Sequence, residues 1–86
     1  MREFEKTLKA VANRRRLAIL KYLKSNDAAS VGEIAREIGL SLRSTSRHLA
    51  VLSACDIVER DQRGLQVFYC LACKLHTTVR QVISLL

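Results

Sequence analysis

Apolar residues recur along the chain with two different periods, and the change from one to the other divides it. Over residues 3–12, Phe4, Leu8 and Val11 stand at i, i+4 and i+7, which is one face of a helix. Asn13 then suits a helix N-cap, and 14–24 reads as a second helix with Leu17, Leu20 and Leu23 as its apolar line. After the turn cluster Ser25, Asn26 and Asp27, Ser30-Val31-Gly32-Glu33 matches the S-x-x-E capping box and opens a short helix over 31–38. Its inward positions are Val31, Ile34, Ala35 and Ile38. Gly39 stands where a C-cap glycine belongs, and Ser41 is an N-cap for a helix over 42–54 with Thr45, Leu49 and Leu52 inward. Two helices joined by a short glycine-containing turn are the signature of a helix-turn-helix.

After Cys55-Asp56 the period becomes two. Residues 57–61 and 65–71 are expected strands, with Gln62-Arg63-Gly64 as the turn, a β-hairpin with a basic tip. Val67, Tyr69 and Leu71 share one face, and Gln66, Phe68 and Cys70 the other. The last segment, 74–86, carries Leu75, Val79, Val82 and Leu86 at i, i+4, i+7 and i+11, an apolar stripe on a terminal helix. The expected fold is mostly α with a small β-hairpin (α+β), a winged helix-turn-helix in the order α-α-α-α-β-β-α. At 86 residues the chain suits a single domain with one core. It divides into a helix-turn-helix at about 31–54, a wing at about 57–71 and flanking helices at about 3–12 and 74–86.

Charge changes the picture next. Fifteen lysines and arginines against eight acids leave a net charge of +7, which in so small a domain points to a polyanionic partner. On the helix from Leu42, the residues turned away from Thr45, Leu49 and Leu52 include Arg43, Ser44, Ser46 and Arg47. Arginine can give two hydrogen bonds to guanine O6 and N7, and serine can serve a base or a phosphate. Leu42 either meets a thymine methyl or packs on the preceding helix. Arg60 and Arg63 in the hairpin are placed to reach the DNA backbone or minor groove, with Asp61 steadying the turn. Arg14, Arg15 and Arg16 oppose the dipole of the helix they begin. They are either solvated or leaning on a phosphate or an acid.

Other classes fall away. No glycine-rich phosphate loop, carboxylate pair or nucleophile–base spacing supports an enzyme or a small-molecule substrate. No apolar run approaches the ~18–20 residues of a membrane span. The charged start, 1–9, is no signal peptide, so cytoplasmic residence is expected and no membrane partner. An odd count of three cysteines argues against a secreted disulfide framework. Cys70-x2-Cys73-x2-His76 leaves three readings open: small packed hydrophobes, a redox pair, or a soft-metal site with His76 as third ligand, Cys55 standing apart. In this reading Cys73 lies near a helix N-terminus, which would favour its thiolate. No cofactor is assigned.

With its elements in this order the sequence resembles the ArsR/SmtB family of bacterial winged-helix repressors, over about 8–86. The stretch from Leu8 to Leu20 is similar to the family's opening, which commonly carries Asp-Pro where this chain has Asn13-Arg14. Ser30 to Ala35, Gly39 to Leu52, and Ile57-Val58 with Gly64 to Tyr69 resemble its capped third helix, recognition helix and wing. The resemblance implies a DNA-binding regulator, a repressor acting as a homodimer on double-stranded DNA, with His48 near the DNA backbone in a phosphate or packing role. It also implies dimerisation through the first and last helices, in keeping with the stripes Phe4, Leu8, Val11 and Leu75, Val79, Val82, Leu86. The alternative is that the stripes pack on each other within one chain. Family metal sites need Cys-x-Cys in the third helix, or acids and paired histidines in the last, and both patterns are missing here. The competing function is a winged-helix module that binds a protein partner, its basic faces merely solvated.

Overall fold

The computed structural model describes residues 1–86. Its elements run α1 (Arg2–Val11), α2 (Arg14–Ser25), β1 (Ala29–Ser30), α3 (Val31–Ile38), α4 (Leu42–Ala54), β2 (Val58–Arg63), β3 (Gln66–Leu71) and α5 (Thr77–Ser84). The expected α+β winged helix-turn-helix is what forms, with one strand more than the periodicity reveals. β1 pairs antiparallel with β3, Ala29 opposite Tyr69 and Ser30 opposite Phe68, so the sheet order is β1-β3-β2. Two residues are too few to display a period of two.

Local chemistry sets the helix boundaries. Asn13 Oδ1 accepts from the Arg15 and Arg16 amides and starts α2. At α3 the capping box is complete, with Ser30 Oγ accepting from Glu33 N at 3.2 Å and Glu33 Oε1 accepting from Ser30 N at 2.9 Å. Gly39 ends the helix at φ +69°, a left-handed conformation that glycine adopts without a Cβ clash. Ser41 Oγ then accepts from Ser44 N and starts α4. Ser30→Ala should cost about 1 kcal/mol, read as a lowered thermal midpoint. The bond from the Ser30 amide also holds the Glu33 carboxyl below its ordinary pKa, with smaller help from the Ser30 hydroxyl and Arg36. A depressed carboxyl stabilises the fold at neutral pH, and that part is lost as pH falls through its folded pKa.

One apolar cluster joins all eight elements. It includes Val11, Ile19, Leu20, Leu23, Ala29, Ile34, Leu49, Leu52, Val58, Tyr69, Val79 and Ile83. Two expected members of the dimer seam, Val11 and Val79, therefore belong to the protomer's own core, at 6% and 1% exposure. Leu75 and Leu86 are partly buried against the same cluster. A stripe records that residues are apolar but not whose core they enter.

The last helix begins at Thr77, not at 74, because His76 is its N-cap, Nδ1 accepting from Thr78 N at 3.1 Å. Leu75 thus precedes the helix, and Cys73 is not at its N-terminus. The wing also differs in detail. β2 runs on to Arg63, which pairs with Gln66, leaving Gly64-Leu65 as a two-residue loop. Gly64 has φ +64° at the first loop position, where tight hairpins favour glycine.

Candidate nucleic-acid interface

α4 has one face fully committed to the core. Thr45, Leu49 and Leu52 have no exposed surface, which fixes the rotation of the helix and turns Arg43 and Arg47 outward. Leu42, Arg43, Ser46 and Arg47 are exposed, and Ser44 and His48 are half-buried on the flank. Arg47 Nη2 donates to Ser44 Oγ at 3.5 Å. Leu42 is 60% exposed, so it does not pack away on α3. It lines an open groove with Arg36, Gln66 and Phe68, between the head of α4 and the wing.

In the wing the two arginines diverge. Strand alternation puts Arg60 on the face of Val58 and Gln62, and Arg63 on the face of Glu59 and Asp61. Arg63 is held: its Nε is 2.9 Å from Asp61 Oδ2, and its guanidinium lies 4.8 Å from the Phe68 ring centre. Asp61 does steady the tip, as expected, by binding the arginine beside it. Arg60 is exposed. Leu65 at the tip is fully exposed, and no periodicity singles it out.

The arginine run at the head of α2 divides: two of its members are solvated, which is one of the two readings of the sequence, and the third does something neither reading anticipates. Arg14 and Arg15 are exposed, but Arg16 turns back across the end of α1. Its Nε donates to Ala10 O at 2.6 Å and its Nη2 to Lys9 O at 3.3 Å. A cation is favourable there, because the carbonyl end of a helix carries the negative pole of its dipole. The remaining arm, Nη1, lies 3.2 Å from His48 Nδ1. Burial, then the charges of Arg16, Arg47 and Arg15, lower the His48 pKa. Sequence spacing held no sign of the Arg16–His48 contact, since the two residues stand 32 apart.

Of the expected seam, Leu8 is 37% exposed and Phe4 and Val82 are half-buried; Leu85, outside that stripe, is 86% exposed. Phe4 lies against His76, ring centres 5.2 Å apart.

The cysteine motif does not assemble with its histidine. His76 is occupied as a cap and against Phe4, and no group of three metal-binding side chains occurs in the chain. All three cysteines are free thiols. Cys70 lies 4.0 Å from Glu59 O, and burial, with the neighbouring Glu59 charge second, pushes its pKa up. Cys55 Sγ lies 4.0 Å from Lys6 O between α4 and α1.

A buried-faced second helix with an outward basic edge beside a two-stranded wing defines a winged helix-turn-helix protein. The helix-turn-helix domain family matches residues 11–61. The chain is 42% identical over 79 residues to the transcriptional activator HlyU of Vibrio cholerae, across 92% of this chain and 69% of HlyU. It is 33% identical over 73 residues to the transcriptional repressor SdpR of Bacillus subtilis, across 85% of this chain and 76% of SdpR. The structure is similar to reduced HlyU, with TM-score 0.82 and 38% identity over 96% of this chain and 83% of that one. It is similar also to the homodimeric winged helix-turn-helix DNA-binding domain Mb0332 of Mycobacterium bovis, with TM-score 0.82 and 30% identity over 96% and 73%. The chain belongs to the ArsR/SmtB-type winged helix-turn-helix family and is a DNA-binding transcriptional regulator.

Proposed function

We propose that the chain is a homodimeric repressor that lays α4 of each protomer in the major groove of an inverted repeat. In this reading Arg43 meets base edges and Arg47 the backbone beside them, Ser44, Ser46 and His48 serve bases or backbone, and Leu42 meets a thymine methyl. Arg60 and Arg63 bring the wing to the flanking backbone. The observation that carries it is the rotation of α4: with Thr45, Leu49 and Leu52 wholly buried, its two arginines face outward one turn apart. A second support is exposed apolar surface at Leu8 on α1 and at Leu85 just past the end of α5, the helices that would form the seam, since such patches often mark interfaces. Mb0332, a similar structure, is homodimeric.

Footprinting on the promoter of its own gene tests the reading. Two protected half-sites roughly 34–36 Å apart, one duplex turn, are expected. A single unpaired half-site would overturn the dimer. A reporter placed behind that promoter should fall when the protein is present, and a rise would overturn repression.

The wing has its own expected result. Arg63→Ala should weaken binding to all sequences about equally and lower the salt slope by about one for each phosphate that is no longer neutralised. Because Asp61 and Phe68 already hold the Arg63 guanidinium, Asp61→Ala should change binding in the same titration by freeing the arginine from its fixed position. Salt titration by fluorescence anisotropy checks both. An unchanged slope in Arg63→Ala would remove this residue from the interface.

A further inference from the structure

We propose that Arg16 is a positioning residue for DNA binding: by donating to His48 Nδ1 it keeps the imidazole proton on Nε2, ready to be donated to a backbone phosphate, and it ties the end of α1 to the recognition helix. This rests on the interface proposed above, with His48 on the flank of α4 that approaches the backbone.

The geometry carries the first half. A guanidinium has donors only and keeps its charge in proteins, so a ring nitrogen 3.2 Å from Arg16 Nη1 must present a lone pair. A neutral imidazole with Nδ1 as acceptor has its hydrogen on Nε2. Arg16 is itself held: two more of its nitrogens are spent on Ala10 O and Lys9 O. The ring therefore meets a fixed partner rather than a mobile surface side chain. His48 is only half-buried, so its outer edge stays open to a ligand. The fork also spans three helices, since Lys9 and Ala10 belong to α1, Arg16 to α2 and His48 to α4. α1 is the helix that the proposed dimer shares with its partner, so the fork gives the dimer seam a direct tie to the DNA-reading helix.

Protonation works against this arrangement. The charges acting on His48 are those of Arg16 and Arg15 from α2 and of Arg47 on its own helix, all cationic, and α1 meets the group through the carbonyls that Arg16 holds. A phosphate alone would draw a second proton onto the ring, because an opposite charge favours the charged form. Arg16 opposes that, so His48 binds as a neutral donor. DNA affinity should then be nearly independent of pH where a free histidine titrates, near about 6.5. Without Arg16 the ring becomes free to gain a proton on binding, and affinity should rise on acidification.

Two measurements test this. Long-range 15N–1H spectra of the protein without DNA should show the His48 Nε2–H form, and Arg16→Met should give mixed tautomers and a raised His48 pKa. A Nδ1–H ring in the parent, or an unchanged ring in Arg16→Met, overturns the proposal. Should Arg16→Met not fold, Arg16→Lys serves instead: one ammonium cannot hold both α1 carbonyls and the ring, and the same shifts are expected, smaller in size.

The second measurement is anisotropy with a mixed-sequence duplex at low salt, where phosphate contacts dominate binding. The parent should vary less than about twofold from roughly pH 6 to 8, whereas the variant should gain up to about tenfold per pH unit for each proton taken up. The difference between the two profiles is what reports on His48. Superimposable pH profiles overturn the phosphate step. Arg43→Ala with Arg47→Ala in the same assay separates the two readings. If that double variant binds like the parent, the interface has failed, while the tautomer is still decided by the DNA-free spectrum.

Discussion

Leu8→Glu should give a folded monomer that no longer binds an inverted repeat tightly. Leu8 is 37% exposed on α1, so in a lone protomer the new carboxylate sits in water at little cost. In the proposed two-fold seam it would be buried against the partner protomer, which costs several kcal/mol for an unpaired charge. That is enough to dissociate a small dimer. Each half-site then acts alone, and the gain from linking two sites, about 10²–10⁴ in affinity, disappears. Sedimentation velocity reads the first effect and anisotropy on the repeat the second. Val82→Glu should act in the same direction, with some cost to the protomer because Val82 is half-buried. Val11→Glu and Val79→Glu are not equivalent, since both residues are buried in the protomer core and those variants should unfold. A stable dimer in both Leu8→Glu and Val82→Glu would refute the seam.

That contrast marks where the sequence stops being legible. Amphipathic spacing identifies Phe4, Leu8 and Val11 as one face, and Leu75, Val79 and Val82 as another. It says nothing of how deep each face lies. The protomer takes Val11, Val79 and Ile83 into its core and leaves Leu8 and Leu85 outside. Capped boundaries are legible to the residue: α3 begins as Ser30 and Glu33 require and ends at Gly39, and α4 begins as Ser41 requires. α5 is not, because Leu75 continues the helical spacing through a segment whose backbone is not yet helical, and a histidine cap leaves little trace in sequence. β1 is invisible for want of length, although its partner positions on β3 alternate clearly.

The polar contacts divide in the same way. Asp61 and Arg63 are two residues apart on one strand face, and their pairing follows from local geometry. Arg16 and His48 are 32 residues apart, and nothing short of the fold brings them together. The cysteine motif shows the converse. Its residues are close in sequence, but His76 turns to cap α5 and pack on Phe4.

Arg43→Ala should lower operator affinity and relax base preference more than any other single change on α4. Arg43 is the second residue of the helix, and the first turn of a recognition helix is the part that reaches base edges. Its fork is exposed and makes no hydrogen bond within the protein, so none of it must be released on binding. A bidentate arginine–guanine pair discriminates by about 1–3 kcal/mol, close to tenfold for each 1.4 kcal/mol. A symmetric dimer forfeits this twice. Arg47 lies one turn further along and is drawn toward Ser44, which is half-buried on the flank. Arg47→Ala should weaken cognate and altered sequences more evenly and reduce the salt slope, as for a residue that meets a phosphate. Anisotropy on the footprinted site and on single-base variants, each at several salt concentrations, separates the two patterns. If Arg43→Ala keeps full discrimination while Arg47→Ala abolishes it, the base-reading residue is one turn further along. If neither variant changes affinity, the outward face of α4 is not the DNA surface.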